Sequence, residues 1–396
     1  MTTLPVIRLR PKTKPQAIRH GFPWVFADEV VTDRRTRAIA PGSFAVLEDP
    51  ERKPMALVTV NPESKIIGRV MDPDHEAQID AEWLRARLSR ALALRERLYD
   101  APFYRLAHAE ADGLPGLIID RFGDAAVIQP NAAWADAMAG DIATALQAVT
   151  GVSTVIVNGQ GRTRGLEGLP ERMEVIAGTA PATPIEVPMN GAVYMADLMG
   201  GQKTGLFYDQ RPNHAFAQRL ASGRVLDVFS HVGGFGLAML AAGAEHATLV
   251  DGSEPALTLA QKGAATMGVE GRLDTIQQDA FAALEALGAD GRTFDVVICD
   301  PPAFAPSKPA LEAGLRAYER VAKLAAPLVS PGGYIGLCSC SHAADLASFR
   351  NASARGIGRG GRRGQLIHTG QAGPDHPMLP QLAETGYLKA LFFRLD

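Results

Sequence analysis

Residues 224–237 read RVLDVFSHVGGFGL. Val225–Phe229 is an apolar run of strand length, Gly233, Gly234 and Gly236 form a turn, and a helix is expected from Phe235. The same rhythm recurs downstream. His246–Val250 predicts a second strand ending at Asp251, followed by a helix over Glu254–Met267. Leu273–Gln277 predicts a third strand that ends near Asp279, and Phe294–Cys299 a fourth that ends at Asp300. A helix over Leu311–Leu328 and a fifth strand over Tyr334–Cys338 complete the series. Strands alternating with helices predict an α/β fold with a parallel, doubly wound, Rossmann-like sheet.

In such a sheet the ligand lies beyond the carboxyl ends of the strands. The glycines then let the backbone approach it and turn sharply into the helix, although a tight turn without a ligand also reads this way, and nicotinamide enzymes use similar clusters. Asp251 stands near the spacing of roughly 20 residues at which an acid takes a pair of ribose hydroxyls. Asp279, one strand further on, is placed to accept from an adenine amino group. Asp300-Pro301-Pro302-Ala303-Phe304 makes a rigid extended turn, because each proline fixes its own φ and removes an N–H. An acid and a ring held there suit a planar base, the acid on its edge and the ring on its face. Period-2 alternation puts Cys338 and Cys340 on one side of the fifth strand, with Cys340 nearer the carboxyl end and opposite the Asp-Pro-Pro turn. We read Cys340 as catalytic and Cys338 as core.

Upstream the pattern differs. Val6–Leu9, Ser43–Glu48, Ala56–Val60 and Ile66–Val70 read as short strands broken by Pro41-Gly42, Asp49-Pro50 and Asn61-Pro62, which predicts a β-rich module over residues 1–75. Residues 80–100 carry leucines at helical spacing. Gly116–Asp120, Ala125–Gln129 and Thr154–Asn158 read as strands and Asp136–Val149 as a helix, a small α+β layer over residues 76–185. Residues 186–396 are left for the parallel-sheet domain. The glycine-rich stretch Gly356–Gly364 is not expected to be helical.

The formal net charge of −3 argues weakly against nucleic acid. Its distribution argues the other way. Residues 1–27 hold Arg8, Arg10, Lys12, Lys14 and Arg19 and no acid, and residues 346–374 hold Arg350, Arg355, Arg359, Arg362 and Arg363. Such clusters neutralise phosphates, or else are solvated segments. Three cysteines make no disulfide framework and lack zinc-ligand spacing, so no metal is expected. The start lacks the apolar stretch of a signal peptide, and no run is long enough to span a membrane, so a cytoplasmic protein is expected.

The whole chain resembles the bacterial 23S ribosomal RNA methyltransferases that make 5-methylcytosine, built from a PUA domain, a small α+β domain and a class I methyltransferase domain. The matching stretches are His20-Gly21-Phe22-Pro23-Trp24-Val25-Phe26; Glu110-Ala111-Asp112-Gly113-Leu114-Pro115-Gly116-Leu117 with Asp120-Arg121-Phe122-Gly123; and Lys203-Thr204-Gly205 with Asp209-Gln210-Arg211, the Gly-Gly-Phe turn, Asp-Pro-Pro-Ala-Phe and Ser339-Cys340-Ser341. The resemblance implies an RNA-docking PUA-like module, S-adenosylmethionine in the strand-end crevice and Cys340 as nucleophile. It implies a cofactor set of Phe229, Gly233, Gly234, Phe235, Gly236, Asp251, Ser253, Asp279, Ala280 and Asp300, with Gln210 and Arg211. On the substrate side it implies Pro301, Pro302, Phe304 and Lys203, with Arg8, Arg10 and Lys12 for the RNA backbone. Ser230-His231-Val232 departs from the family's Tyr-Thr before the glycines, so Val232 lacks a hydroxyl.

The expected partner is RNA, 23S ribosomal RNA or a ribosomal assembly particle, and a homodimer is compatible with the sequence. Three rivals stay open: methylation of a guanine nitrogen without the thiol, a nicotinamide oxidoreductase, and a catalytically idle RNA-binding protein.

Overall fold

A computed structural model describes residues 4–200 and 205–396. The chain forms two compact units, one from Met1–Ala182, Leu198–Gly205 and Pro374–Thr385, the other from Thr183–Asp197, Leu206–Gly373 and Gly386–Asp396.

The first unit contains two five-stranded sheets. One runs in the order Val6–Arg8, Ser43–Glu48, Pro54–Val60, Gly68–Asp72, Trp24–Val25. Its alternating inward residues Ile7, Leu9, Val25, Ala45, Leu47 and Val58 form one core cluster. The other runs Met173–Ala177, Thr154–Asn158, Ala125–Pro130, Leu117–Phe122, Phe103–His108. Helix Ala81–Leu98 starts where Asp80 accepts from the Glu82 and Trp83 amides, and it buries Leu84, Leu88 and Ala91 in a second cluster with this sheet. Arg69 ties the two sheets together: it pairs with Glu110 at 2.8 Å and Glu167 at 3.0 Å, all three nearly buried. The two-residue strand Trp24–Val25 is too short to show a period and was not expected.

The second unit holds a seven-stranded sheet. Its strands in chain order are β1 (Arg224–Val228), β2 (His246–Asp251), β3 (Leu273–Gln277), β4 (Phe294–Cys299), β5 (Val329–Ser339), β6 (Gly364–Gly370) and β7 (Lys389–Leu395). Their order in space is β3-β2-β1-β4-β5-β7-β6. The first five are parallel, β7 runs antiparallel to β5, and β6 antiparallel to β7. The order reverses between β1 and β4, and a crevice opens beyond the carboxyl ends at such a switch point.

One expectation is overturned. Helix Leu346–Arg359 runs straight through Gly356 and Gly358. A Cβ on Gly356 would lie 2.4 Å from the Glu319 carbonyl oxygen and 2.6 Å from the Ala322 Cβ. The glycine therefore serves close packing against helix Leu311–Ala325 and does not break its own helix. The burial of Phe349, Ala352 and Ile357 outweighs the low helix propensity of glycine.

Candidate functional site

The crevice starts at the turn after β1. Phe229, His231 and Gly233 all have positive φ, at 63°, 50° and 83°. Two non-glycine residues in that region mark a turn held by its surroundings. Asp251 does much of the holding: one carboxylate oxygen accepts from the His231 amide and the other from the Ser253 amide, both at 2.8 Å. Gly233 then caps helix Gly234–Ala241. A Cβ on Gly236 would meet Leu249 Cδ2 of β2 at 2.3 Å and one on Gly233 Leu237 Cγ of the helix at 2.9 Å. They bring the helix close to the sheet.

Under the turn sits Asp227, fully buried on β1. Its Oδ2 accepts from the Gly236 amide at 2.8 Å, while Oδ1 has no partner among the described residues. Burial pushes its carboxyl up to about 7, and the charge of Asp251 adds to this. Ser230 Oγ is likewise buried without a partner among the described residues. His214 packs its ring edge-on against Phe235 at 4.5 Å, and burial pulls its pKa down to about 3, so it is neutral.

Ser253 caps helix Glu254–Thr266 through the Ala256 amide. Asp279 caps helix Ala280–Ala289 through the Ala282 amide at 3.0 Å and is otherwise exposed, while Ala280 is buried. Phe281 on the next turn joins an aromatic group that the sequence did not single out. Its ring lies 6.4 Å from Phe229 and 6.2 Å from Phe304, and Phe304 lies 5.0 Å from Tyr318.

Asp300 leaves β4 with its amide bonded to the Val228 carbonyl at 3.1 Å and is half-buried; Pro301 is buried and Pro302 exposed. Cys340 follows β5 directly and is half-buried. Cys299 and Cys338 are fully buried, and burial raises both thiols far from ionisation. The two loops are stapled together. Ser341 Oγ accepts from the Ala305 amide at 2.9 Å and lies 2.7 Å from the Tyr318 hydroxyl. Gln210 is buried; its Oε1 accepts from Asn213 Nδ2 at 2.6 Å, and its Nε2 has no hydrogen-bond partner among the described residues. Arg211 opens helix Arg211–Gln218 with its guanidinium 5.5 Å from the centre of the Tyr208 ring. Lys203 and Thr204 lie outside the described residues.

The cations of the first unit are partly matched by acids. Arg8 pairs with Glu48 at 2.9 Å and Arg19 with Asp49 at 2.7 Å. Arg10 Nε donates to the Val30 carbonyl at 2.8 Å, and Lys12 is exposed. In the second run, Arg355 and Arg359 both pair with Glu319, and Arg362 with Asp396. No group of metal-ligating side chains occurs among the described residues, and no described helix is long and apolar enough to cross a membrane.

Comparison with known proteins places this geometry. The family described as S-adenosylmethionine-dependent methyltransferase matches residues 146–394, and a PUA-like domain matches residues 7–73. Two curated relatives carry the names of large-subunit ribosomal RNA methyltransferases. One, methyltransferase I of Aeromonas salmonicida, is 32% identical over 97% of this chain and 98% of its own length. The other, from Deinococcus radiodurans, is 32% identical over 100% and 99%. In fold, a methyltransferase of Streptococcus mutans superposes with a TM-score of 0.82 at 17% identity, over 99% of this chain and 100% of its own. A methyltransferase complexed with SAH superposes at 0.83, also at 17% identity and over 99% and 100%. The residues present fit such a cofactor: an acid ends β2, two buried oxygens on Asp227 and Ser230 lack partners among the described residues, and Phe229 and Phe281 supply ring faces.

Proposed function

The chain belongs to the S-adenosylmethionine-dependent methyltransferase family, and from that premise we propose that it methylates C5 of a cytosine in large-subunit ribosomal RNA, with Cys340 as nucleophile. The names of its relatives support the RNA. The chemistry is supported by one observation: Cys340, the half-exposed cysteine, stands at the carboxyl end of β5, stapled through Ser341 and Ala305 to the loop that carries Asp300.

Bound S-adenosylmethionine supplies an electrophilic methyl group. Asp251 would hold its ribose hydroxyls and Asp279 its adenine amino group, with Phe229, the glycine turn, Ser253, Ala280, Gln210 and Arg211 as the further residues that would line it. Cytosine C5 is a poor nucleophile. The Cys340 thiolate adds to C6, and the electron pair of the C5–C6 double bond moves to C5, which would bond the methyl group as the S–CH3 bond breaks and its electrons stay on sulfur, leaving a neutral thioether. A base then removes the C5 proton, the double bond re-forms, and the sulfur leaves. Covalent attack divides one hard step into easier ones. Asp300 holds the N3/N4 edge and stabilises the adduct, while Pro301, Pro302 and Phe304 wall the base once it has left its stack. Arg10 and Lys12, with Arg8, contact phosphates.

RNA carrying 5-fluorocytosine tests this, because fluorine does not leave as the proton does. Wild-type protein is expected to form a complex that survives denaturing gels. Cys340→Ala should lose both the complex and turnover while still binding S-adenosylmethionine, and Cys338→Ala should keep both. Near-normal turnover in Cys340→Ala, with no complex from wild type, would leave methylation of a ring or exocyclic nitrogen, which needs no thiol.

A further inference from the structure

Lys389 opens β7 opposite Ser339 of β5, with 8% of its surface exposed. Its Nζ donates to the carbonyl oxygens of Ser341 and Ala344, both at 2.7 Å, and among the described residues it makes no carboxylate pair within salt-bridge distance. Burying an ammonium on carbonyls alone is expensive, and an apolar side chain of similar length would avoid the cost. Burial accordingly pulls its pKa down to about 8, opposed by Cys340 and Asp345. Ser341, the residue after the cysteine, is thus held twice: by its hydroxyl, through Ala305 and Tyr318, and by its carbonyl, through Lys389.

The geometry points to Lys389 as the positioning residue for Cys340: its ammonium clamps the carbonyl of the residue that follows the nucleophile and holds a positive charge one residue away from it, so that the thiolate is favoured. This rests on the reading of Cys340 as nucleophile. Asp345 lies in the loop beyond β5, within the field of Lys389, and Asp300 stands beyond β4. Tyr318, on helix Leu311–Ala325, feels the Cys340 sulfur and stays protonated because burial raises its phenol. His342 lies against Tyr387, 5.5 Å between ring centres.

Alkylation of the full chain by iodoacetamide, mapped to Cys340 by mass spectrometry across a pH series, reads this field. The wild-type midpoint is expected below the ordinary thiol value of about 8.5. Lys389→Met should raise it by about one unit, roughly a tenfold slower reaction at neutral pH. Lys389→Arg keeps the charge and should stay within about threefold of wild type. A purely structural role would change the high-pH plateau rate and leave the midpoint in place. An unchanged midpoint in Lys389→Met that still binds S-adenosylmethionine overturns the proposal. If that variant does not fold, Lys389→Gln decides, since its amide can still donate to a carbonyl while the charge is gone. A midpoint shifted up then supports the proposal, and an unshifted one overturns it. A shifted midpoint without the 5-fluorocytosine complex removes the nucleophile reading alone; the complex with an unshifted midpoint removes Lys389 alone.

Discussion

Asp227 carries a cost that shows in the pH dependence of stability. Its folded carboxyl is raised from 3.8 to about 7. The folded state therefore holds its proton more tightly than the unfolded chain does. The associated stability is fully present below 3.8, declines as pH rises toward about 7, and is then gone. Asp227→Asn keeps an oxygen for the Gly236 amide and cannot ionise, so its melting temperature should fall less than that of wild type between those two pH values. Parallel melting curves in matched buffers check this, and identical slopes would remove Asp227 as the cause. That Asp251, Asp279 and Asp300 stand at or just past strand ends was legible, because the apolar runs of β2, β3 and β4 stop there. Lys389 was not legible: it opens a seven-residue strand, KALFFRL, in which a lysine reads as an edge residue, and only the fold turns it toward Ser341 and Ala344. Phe281 had a usable signal, since it follows Asp279 and Ala280 at the end of β3.

Helix Leu346–Arg359 separates two roles for glycine within three residues. Gly358 has nothing within 4 Å of an added Cβ, whereas Gly356 abuts the backbone of Glu319 at 2.4 Å. Gly358→Ala should therefore stabilise the protein by about 0.5–1 kcal/mol through backbone entropy and helix propensity. Gly356→Ala gains the same term but must push two helices apart, a net loss of about 1–3 kcal/mol. Urea titration of both variants checks the sign; two changes of the same sign would show that the helix does not pack as described. Composition cannot separate these glycines, because the difference lies in the neighbouring helix; Gly356–Arg359 are helical against expectation, while Gly360–Gly364 lie outside the helix as expected. The parallel strands β1 to β4 were legible as apolar runs between helices. β6 was not, since most of its residues are exposed at the sheet edge and its register shifts against β7.

For the whole molecule, net charge of −3 says little about RNA, and acid-free runs of sequence say less than they first suggest. Folding brings Glu48 to Arg8, Asp49 to Arg19 and Glu319 to Arg355 and Arg359, so several of these cations reach the surface with their charge already matched. Among the described residues the Arg10 guanidinium is bonded only to the Val30 carbonyl and Lys12 is exposed with no ion pair, so no acid matches either charge. Reversing Arg8, Arg10 and Lys12 together to glutamate should weaken RNA binding and flatten its salt dependence. Single substitutions should be unequal. Arg10→Gln and Lys12→Gln should each reduce the slope of log K against log salt by about one, the signature of one lost phosphate contact. Arg8→Gln should reduce it less, because Glu48 already offsets that charge. S-adenosylmethionine affinity should not change in any of them, since these residues belong to the first unit and the strand-end crevice to the second. Filter binding over a salt series, with calorimetry for the cofactor, measures both. Equal slopes for wild type and the triple variant would make this edge a solvated surface and move the RNA footprint elsewhere on the molecule.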